Sequence, residues 1–305
     1  MKTNLIKLTC GLALLGAATM AQAQIYTTLD DPLGVNGTAT IAFGISGNNI
    51  VGSYTASSGN TYGFLYNGST YTTLNDPSGV NGTIAYGIDG NNVVGTYTDG
   101  SYNDNGFLYN GSTYTTLNDP LGVYGTDARG ISGNNIVGSY YTSSAGYGFL
   151  YNGSTYTTLN DPLGINGTAA YGISGNNIVG SYTTSSYNTY GFLYNGSTYT
   201  TLNDPLGVKG TVAYGIDGNN IVGDYIDSSG NVHGFLYNGS TYTTLNDPLG
   251  VQGTAAYGID GNNIVGSYTS SDYNNGFIAS VPEPSTLTLA GLGGLSLLLF
   301  RRRKS

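Results

Sequence analysis

The 305-residue sequence has no tryptophan and only one cysteine, one histidine and one glutamate. Each shortage excludes something. The single thiol, Cys10, lies in an apolar leader, so the rest of the chain can form no disulfide, thiolate metal site or thiolate nucleophile. Hydrolysis needs a general acid with a base, or a nucleophile with its base. With Glu283 and His233 alone of their kinds, the chain is expected not to be an enzyme. Charge is scarce as well, at 8% of residues. Lys2 and Lys7 lie at the start and Arg301, Arg302, Arg303 and Lys304 at the end, which leaves Arg129 and Lys209 between them. Set against sixteen Asp, these two give residues 24–280 a formal charge of 2 − 16 = −14. Such a field repels nucleic acid and anionic lipid.

What is abundant is glycine, 50 residues, and tyrosine, 29 residues, at regular spacing. The phrase Tyr-Thr-Thr-Leu begins at Tyr26, Tyr71, Tyr114, Tyr156, Tyr199 and Tyr242, in steps of 45, 43, 42, 43 and 43 residues. Each unit continues through an Asp-Pro turn, a small-residue stretch such as Ala169-Ala170-Tyr171-Gly172, a Gly-Asn-Asn turn, an apolar strand, a variable loop and Gly-Phe-Leu-Tyr-Asn-Gly. Turn chemistry divides a unit into four short strands, expected over Thr168–Ile173, Ile178–Thr183, Gly191–Tyr194 and Tyr199–Leu202. Asn-Gly, as in Asn195-Gly196, is expected to supply the positive φ of a tight hairpin.

Four antiparallel strands in about 43 residues is the size of a propeller blade. The expected fold is all-β, a six-bladed propeller over residues 24–280. The first Tyr-Thr-Thr-Leu precedes any complete unit, and the last unit lacks that strand. Pairing Tyr26–Leu29 with the final three strands would close the ring and leave no free edge. An open array of β repeats is the alternative; it would need capping units with different outer faces.

Residues 1–23 read as a signal peptide: a positive start, the mostly apolar stretch Leu8–Met20, and the small-x-small site Ala21-Gln22-Ala23. The mature chain is expected to begin at Gln24, after the export machinery and signal peptidase have acted. A lipoprotein cut at Cys10 is disfavoured, because Lys7 stands where an apolar residue is wanted. Residues 281–305 read Val281-Pro282-Glu283-Pro284, then the mostly apolar Ser285–Phe300, then Arg301-Arg302-Arg303-Lys304-Ser305. As a helix the apolar span rises about 24 Å, somewhat less than a ~30 Å hydrocarbon core, with the basic cluster held on the cytoplasmic side. The tail resembles the PEP-CTERM sorting signal in all three parts and their order. The resemblance implies transient anchoring in the inner membrane, processing near Pro282-Glu283-Pro284 by an exosortase, and delivery to the cell surface or an exopolysaccharide matrix. A permanent anchor is the alternative reading of the same residues.

The body also resembles the HAF family of extracellular repeats. Ile173–Gly180 carries the likeness, with His233-Gly234-Phe235 as a degenerate form of the name-giving triplet. That family carries no catalytic residues to transfer.

Candidate sites within the body are few. His233 sits beside a variable loop, where a strand-edge role outweighs a catalytic one. Asp31, Asp76, Asp119, Asp161, Asp204 and Asp247 precede proline in every unit. They read first as turn-setting residues, and second as a ring of carboxylates able to hold Ca²⁺ or a cationic polymer. Asp89, Asp217 and Asp260 before Gly-Asn-Asn suggest a calcium loop, but Ser46, Ser132 and Ser174 replace them elsewhere. Asn-Gly-Ser/Thr triplets match glycosylation acceptors, and their hairpin role accounts for them. The variable loops, Thr55–Thr61, Thr98–Asn105, Thr142–Gly146, Thr183–Thr189, Ile226–Val232 and Thr269–Asn275, are rich in Ser, Asn, Asp and Tyr. Together with the Asp-Pro loops they form the expected binding face, suited to sugars. The expected function is structural or adhesive, in a biofilm or floc matrix, with polysaccharide contact. A calcium-binding structural propeller and a carboxylate-dependent extracellular enzyme are the alternatives.

Overall fold

Alternating small and apolar residues between glycine turns build strands and nothing else: no helix occurs among the described residues. The computed structural model describes residues 24–35, 40–271 and 273–281. The signal peptide, the Pro-Glu-Pro triplet, the apolar span and the arginine cluster lie outside these residues, as do both expected helices. After β1 (Ile25–Leu29), the first sheet is β2 (Ile41–Ser46), β3 (Asn49–Thr55), β4 (Thr61–Tyr66) and β5 (Tyr71–Leu74). The second is β6 (Thr83–Asp89), β7 (Asn92–Thr98), β8 (Asp104–Tyr109) and β9 (Tyr114–Leu117). The third is β10 (Thr126–Ser132), β11 (Asn135–Tyr141), β12 (Gly146–Tyr151) and β13 (Tyr156–Leu159). The fourth is β14 (Thr168–Ser174), β15 (Asn177–Thr183), β16 (Thr189–Tyr194) and β17 (Tyr199–Leu202). The rest are β18 (Gly210–Asp217), β19 (Asn220–Ile226), β20 (Val232–Tyr237), β21 (Tyr242–Leu245), β22 (Gly253–Asp260), β23 (Asn263–Thr269) and β24 (Asn274–Ser280). With β1 they make a single eight-stranded sheet.

The fold is thus an all-β propeller of four-stranded blades, with four separate four-stranded sheets where six were expected. The cause is local. β22 begins at Gly253, whose backbone, at φ 150°, comes close enough to Val232 for one parallel bridge from β20. That bridge fuses β18–β21 with β22–β24 and β1.

Tyr26–Leu29 pairs with the last strand, as expected, in the register of a fourth strand. Thr28 pairs with Phe277 and Leu29 with Gly276, as Thr201 pairs with Phe192 and Leu202 with Gly191 inside the fourth sheet. The Thr28 hydroxyl meets Tyr268 Oη at 3.1 Å, matching Thr201 and Tyr182 at 2.9 Å. At the centre each first strand crowds the next. A Cβ on Gly172 would lie 2.6 Å from the Tyr214 carbonyl oxygen, and one on Gly258 would lie 2.7 Å from that of Phe43. The succession returns to its start, so the array is a ring and not an open stack. Apolar packing lies between consecutive sheets, as where Val179 of β15 joins Leu202, Ala213, Ile216, Ile221, Tyr225 and Phe235. Phe64, Phe107, Phe149, Phe192, Phe235 and Phe277 are fully buried. Burying such a ring contributes about 1.5–3 kcal/mol each.

The antiparallel order sorts the connections to two ends. Loops between sheets and those between second and third strands share one end, here the loop face. The Gly-Asn-Asn and Asn-Gly-Ser-Thr connections share the other, the turn face. β1 enters from the turn face and β24 leaves by it.

Candidate functional site

The loop face is held by the aspartates that precede proline. In each inter-sheet loop the Asp N–H donates to a threonine hydroxyl at the start of the next sheet, for example Asp161 to Thr168 Oγ1 at 3.1 Å and Asp247 to Thr254 Oγ1 at 3.0 Å. Each carboxylate Oδ1 accepts the amide two residues on, as Asp161 from Leu163 at 2.9 Å and Asp204 from Leu206 at 2.8 Å. Asp31, Asp76, Asp119, Asp161, Asp204 and Asp247 are all buried. Burial pushes the carboxyls of Asp31, Asp161 and Asp247 up. These six side chains are therefore loop frames, each in its own loop. Among the described residues no group of three His, Cys, Asp or Glu is arranged to hold a metal ion.

Backbone bonds tie each inter-sheet loop to the variable loop of the sheet it enters. Asn81 N–H donates to Thr98 O at 3.1 Å, and Thr98 N–H returns to Gly82 O at 3.0 Å. On this rigid frame the exposed side chains include large apolar and aromatic ones, Leu121, Val123, Leu163, Ile165, Leu206 and Val208, with Tyr102, Tyr124 and Tyr187, beside the Ser and Asn of the variable loops. His233 is locked in place. Its Nδ1 lies 3.1 Å from Asn246 Oδ1, its Nε2 lies 3.2 Å from Asp227 Oδ2, and its ring stacks on Tyr225 at 5.1 Å. Hydrogen bonds, first from the Asn231 amide and then from His233, hold the Asp227 carboxyl well below the usual range.

A second locus lies on the axis and was not read from the sequence. A bulge in each first strand, as between Ala170 and Gly172, turns the side chain between them inward. Phe43, Tyr86, Arg129, Tyr171, Tyr214 and Tyr257 thereby line a cavity of about 60 Å³. Arg129 stands where the other units place an aromatic ring. Its guanidinium lies 4.0 Å from the Tyr86 ring centre and donates to Asp127 Oδ2 at 3.0 Å. Asp127 also accepts from Thr96 Oγ1 at 3.0 Å and from Tyr141 Oη at 3.3 Å. Two sheets on, burial pushes the Asp224 carboxyl up to about 7, against a hydrogen bond with Tyr214 that lowers it. The available signal was departure from the repeat: Asp127, Arg129, Tyr141 and Asp224 each break it.

The turn face carries another circle that was missed. The Ser or Asp before each Gly-Asn-Asn accepts the glycine amide of the next unit. Ser46 Oγ lies 3.2 Å from Gly90 N, Asp89 Oδ2 lies 2.6 Å from Gly133 N, and Asp217 Oδ2 lies 2.8 Å from Gly261 N. Asp89, Asp217 and Asp260 are inter-unit latches and do not form calcium loops. The Asn-Gly hairpins also differ from expectation. Tyr194 pairs with Tyr199, so the loop has four residues. Only the glycine has positive φ, 93° at Gly196, and Asn195 Oδ1 accepts the Ser197 and Thr198 amides. A roomier recess, about 480 Å³, lies beside the seam and is lined by Thr27, Thr28, Asn48, Tyr66 and Tyr71 among others. Its counterpart between the second and third sheets measures about 160 Å³. The seam lacks the hairpin that elsewhere joins third and fourth strands, and Ala279 stands opposite Tyr26 where other units oppose two tyrosines.

Residues 280–304 match the PEP-CTERM protein-sorting motif. The chain carries a PEP-CTERM sorting signal. Such a signal implies export, a surface or extracellular location, and an exosortase as processing partner. The PEP-CTERM motif begins at Ser280, the last residue of β24. A comparison with curated proteins finds no match. Among solved structures, Trypanosoma rangeli sialidase is 9% identical with a TM-score of 0.51, over 91% of this chain and 62% of its own. The same sialidase in complex with sialic acid gives 11% and 0.50, over 89% of this chain and 61% of its own. This chain therefore spans less than two thirds of the sialidase. The fucose-specific lectin from Aleuria aurantia is 12% identical with a TM-score of 0.49, over 80% of this chain and 95% of its own. At these identities the likeness to the sialidase is one of fold alone. Among the described residues no helix is long and apolar enough to cross a membrane.

Proposed function

We propose that this protein is a non-enzymatic, surface-sorted propeller, with the eight-stranded sheet serving as two of six circularly arranged units, and that its loop face contacts matrix polysaccharide. One observation carries the reading. The framework aspartates and hydroxyls are spent on internal hydrogen bonds, while the variable loops present tyrosine, amide and hydroxyl side chains outward from a fixed backbone. Rigid scaffolds with variable loops concentrate binding function in those loops. Rings beside amides suit the flat apolar faces and hydroxyl edges of sugars. Kinship with HAF-type extracellular repeats would accord with such a role in a biofilm or floc.

The test is retention of the exported protein on polysaccharides, read on a glycan array and by pull-down with the producing cell's exopolysaccharide. Specific retention that is lost when the variable loops are exchanged for those of a silent unit supports the reading. Absence of retention on every carbohydrate sinks it.

A further inference from the structure

Four of the variable loops share one backbone. Their first residue donates its N–H to the carbonyl of the fifth, and the fourth donates back to the first. The pairs are Ala56–Asn60 with Gly59–Ala56, Asp99–Asn103 with Tyr102–Asp99, Thr184–Asn188 with Tyr187–Thr184, and Asp227–Asn231 with Gly230–Asp227, all between 2.8 and 3.1 Å. The fourth position is left-handed in every case. Gly59 and Gly230 hold φ of 84° and 94° there, the conformation that glycine adopts without penalty. Tyr102 and Tyr187 hold φ of 64° and 62° at the same place, and they are the only non-glycine residues with positive φ among those described.

A bulky side chain in this conformation is strained. The two rings are 79% and 80% exposed, the highest values of any large apolar or aromatic side chain described. Neither takes part in a ring contact or a side-chain hydrogen bond. Strain of this kind, kept where glycine demonstrably serves, points to a role outside the fold. Tyr124, 67% exposed, stands on the intervening third sheet, where the other units carry Asn, Lys or Gln. Three consecutive units thus each raise a well-exposed phenol ring on the same face, Tyr141 of the third being the less exposed of its pair.

Resting on the polysaccharide reading above, we propose that Tyr102 and Tyr187, with Tyr124 between them, are the sugar-stacking platforms of the loop face, and that the ligand is an uncharged pyranose polymer. A row of separate rings matches a chain of repeating flat units better than a single small molecule. Stacking on aromatic faces is largely indifferent to substituents, and neighbouring Ser101, Asn103, Ser186 and Asn188 supply edge hydrogen bonds. The −14 formal charge of residues 24–280 disfavours a polyanionic chain.

The experiment is affinity electrophoresis of the exported protein in gels containing dextran, soluble β-glucan, starch or alginate. Thermal melting is run in parallel. The Y102G/Y187G variant copies the residues of the sister loops, so it should melt at the same temperature or higher. Its retardation by the neutral polymer that slows the native protein should fall at least tenfold. The Y102F/Y187F variant keeps the rings and should keep the retardation. If Y102G/Y187G is retarded as strongly as the native protein, the platform assignment is overturned while the loop-face reading stands. Retardation of the native protein by alginate alone overturns the uncharged ligand. Retardation by none of the polymers overturns the platform assignment together with the reading it rests on.

Discussion

The Asp260 carboxylate accepts the amide proton of Gly47, 213 residues earlier, at 2.5 Å. It is the last link of the turn-face circle, and it joins the final unit to the first. A charge-assisted bond at a partly exposed site contributes about 1 kcal/mol. Asp260→Ala should lower unfolding free energy by roughly that amount in urea titration. Asp260→Ser copies Ser46, Ser132 and Ser174, and should lose less. A loss as large for Ser as for Ala would show that the hydroxyl cannot bridge the seam.

Asp224 sets a pH dependence. Its carboxyl keeps its proton to about 7 in the folded chain, against 3.8 in the unfolded reference. Between these values the folded state binds more protons, so stability falls as pH rises from about 4 and through 7. The cost above that range is at most about 4 kcal/mol, at 1.36 kcal/mol per pH unit. Asp224→Ser installs the residue that Ser53, Ser181 and Ser267 supply in sister strands. That variant should flatten the profile between pH 5 and 8.5 and be the more stable protein at pH 8.5. Denaturant unfolding at the two pH values reads both.

Arg129 and Asp127 should behave as a pair. Removing Asp127 alone leaves a guanidinium in the axial cavity without its carboxylate, and should cost about 3 kcal/mol. The double variant D127A/R129Y copies the fourth sheet, with Ala169 and Tyr171, and should recover most of that loss. A double-mutant cycle by calorimetry gives the coupling. Additive losses would remove the pairing argument.

Gly172 tests the crowding at the centre. The alanine methyl of Gly172→Ala would meet the Tyr214 carbonyl oxygen at 2.6 Å, a backbone atom that cannot swing aside. A loss of about 1–3 kcal/mol is expected from overpacking, read as a lower thermal midpoint. An unchanged midpoint would mean that the sheets can slide apart along the axis.

Much of this was legible in the sequence because the repeat states each local rule six times. The fourth strand falls over Tyr199–Leu202 as expected, and the second begins one residue early, at Asn177. Pairing of Tyr26–Leu29 with the last strands followed from counting strands. What escaped depends on neighbours in space. The bulge at Tyr171 is invisible to a pattern of alternation, so the axial ring went unseen. Asp89 and Ser46 look like alternatives within one turn, and only the circular arrangement shows that each serves the next turn. The bridge between Val232 and Gly253 is a matter of one backbone approach, which periodicity does not encode. Tyr102 and Gly59 both fall within variable loops of the sequence, and the left-handed backbone that sets them apart in cost is a property of the folded loop.

A ring sealed by strands from the two extremities of the body imposes an order of events on its biogenesis. Tyr26 and Ala279 face each other across the seam, so the first strand of the body pairs with the last one to be made. Until β24 has folded the ring stays unsealed, and unsealed strand edges invite wrong pairing. Ser280 ends the last strand and also opens the sorting motif. The strand that seals the circle and the sorting motif thus meet at a single residue.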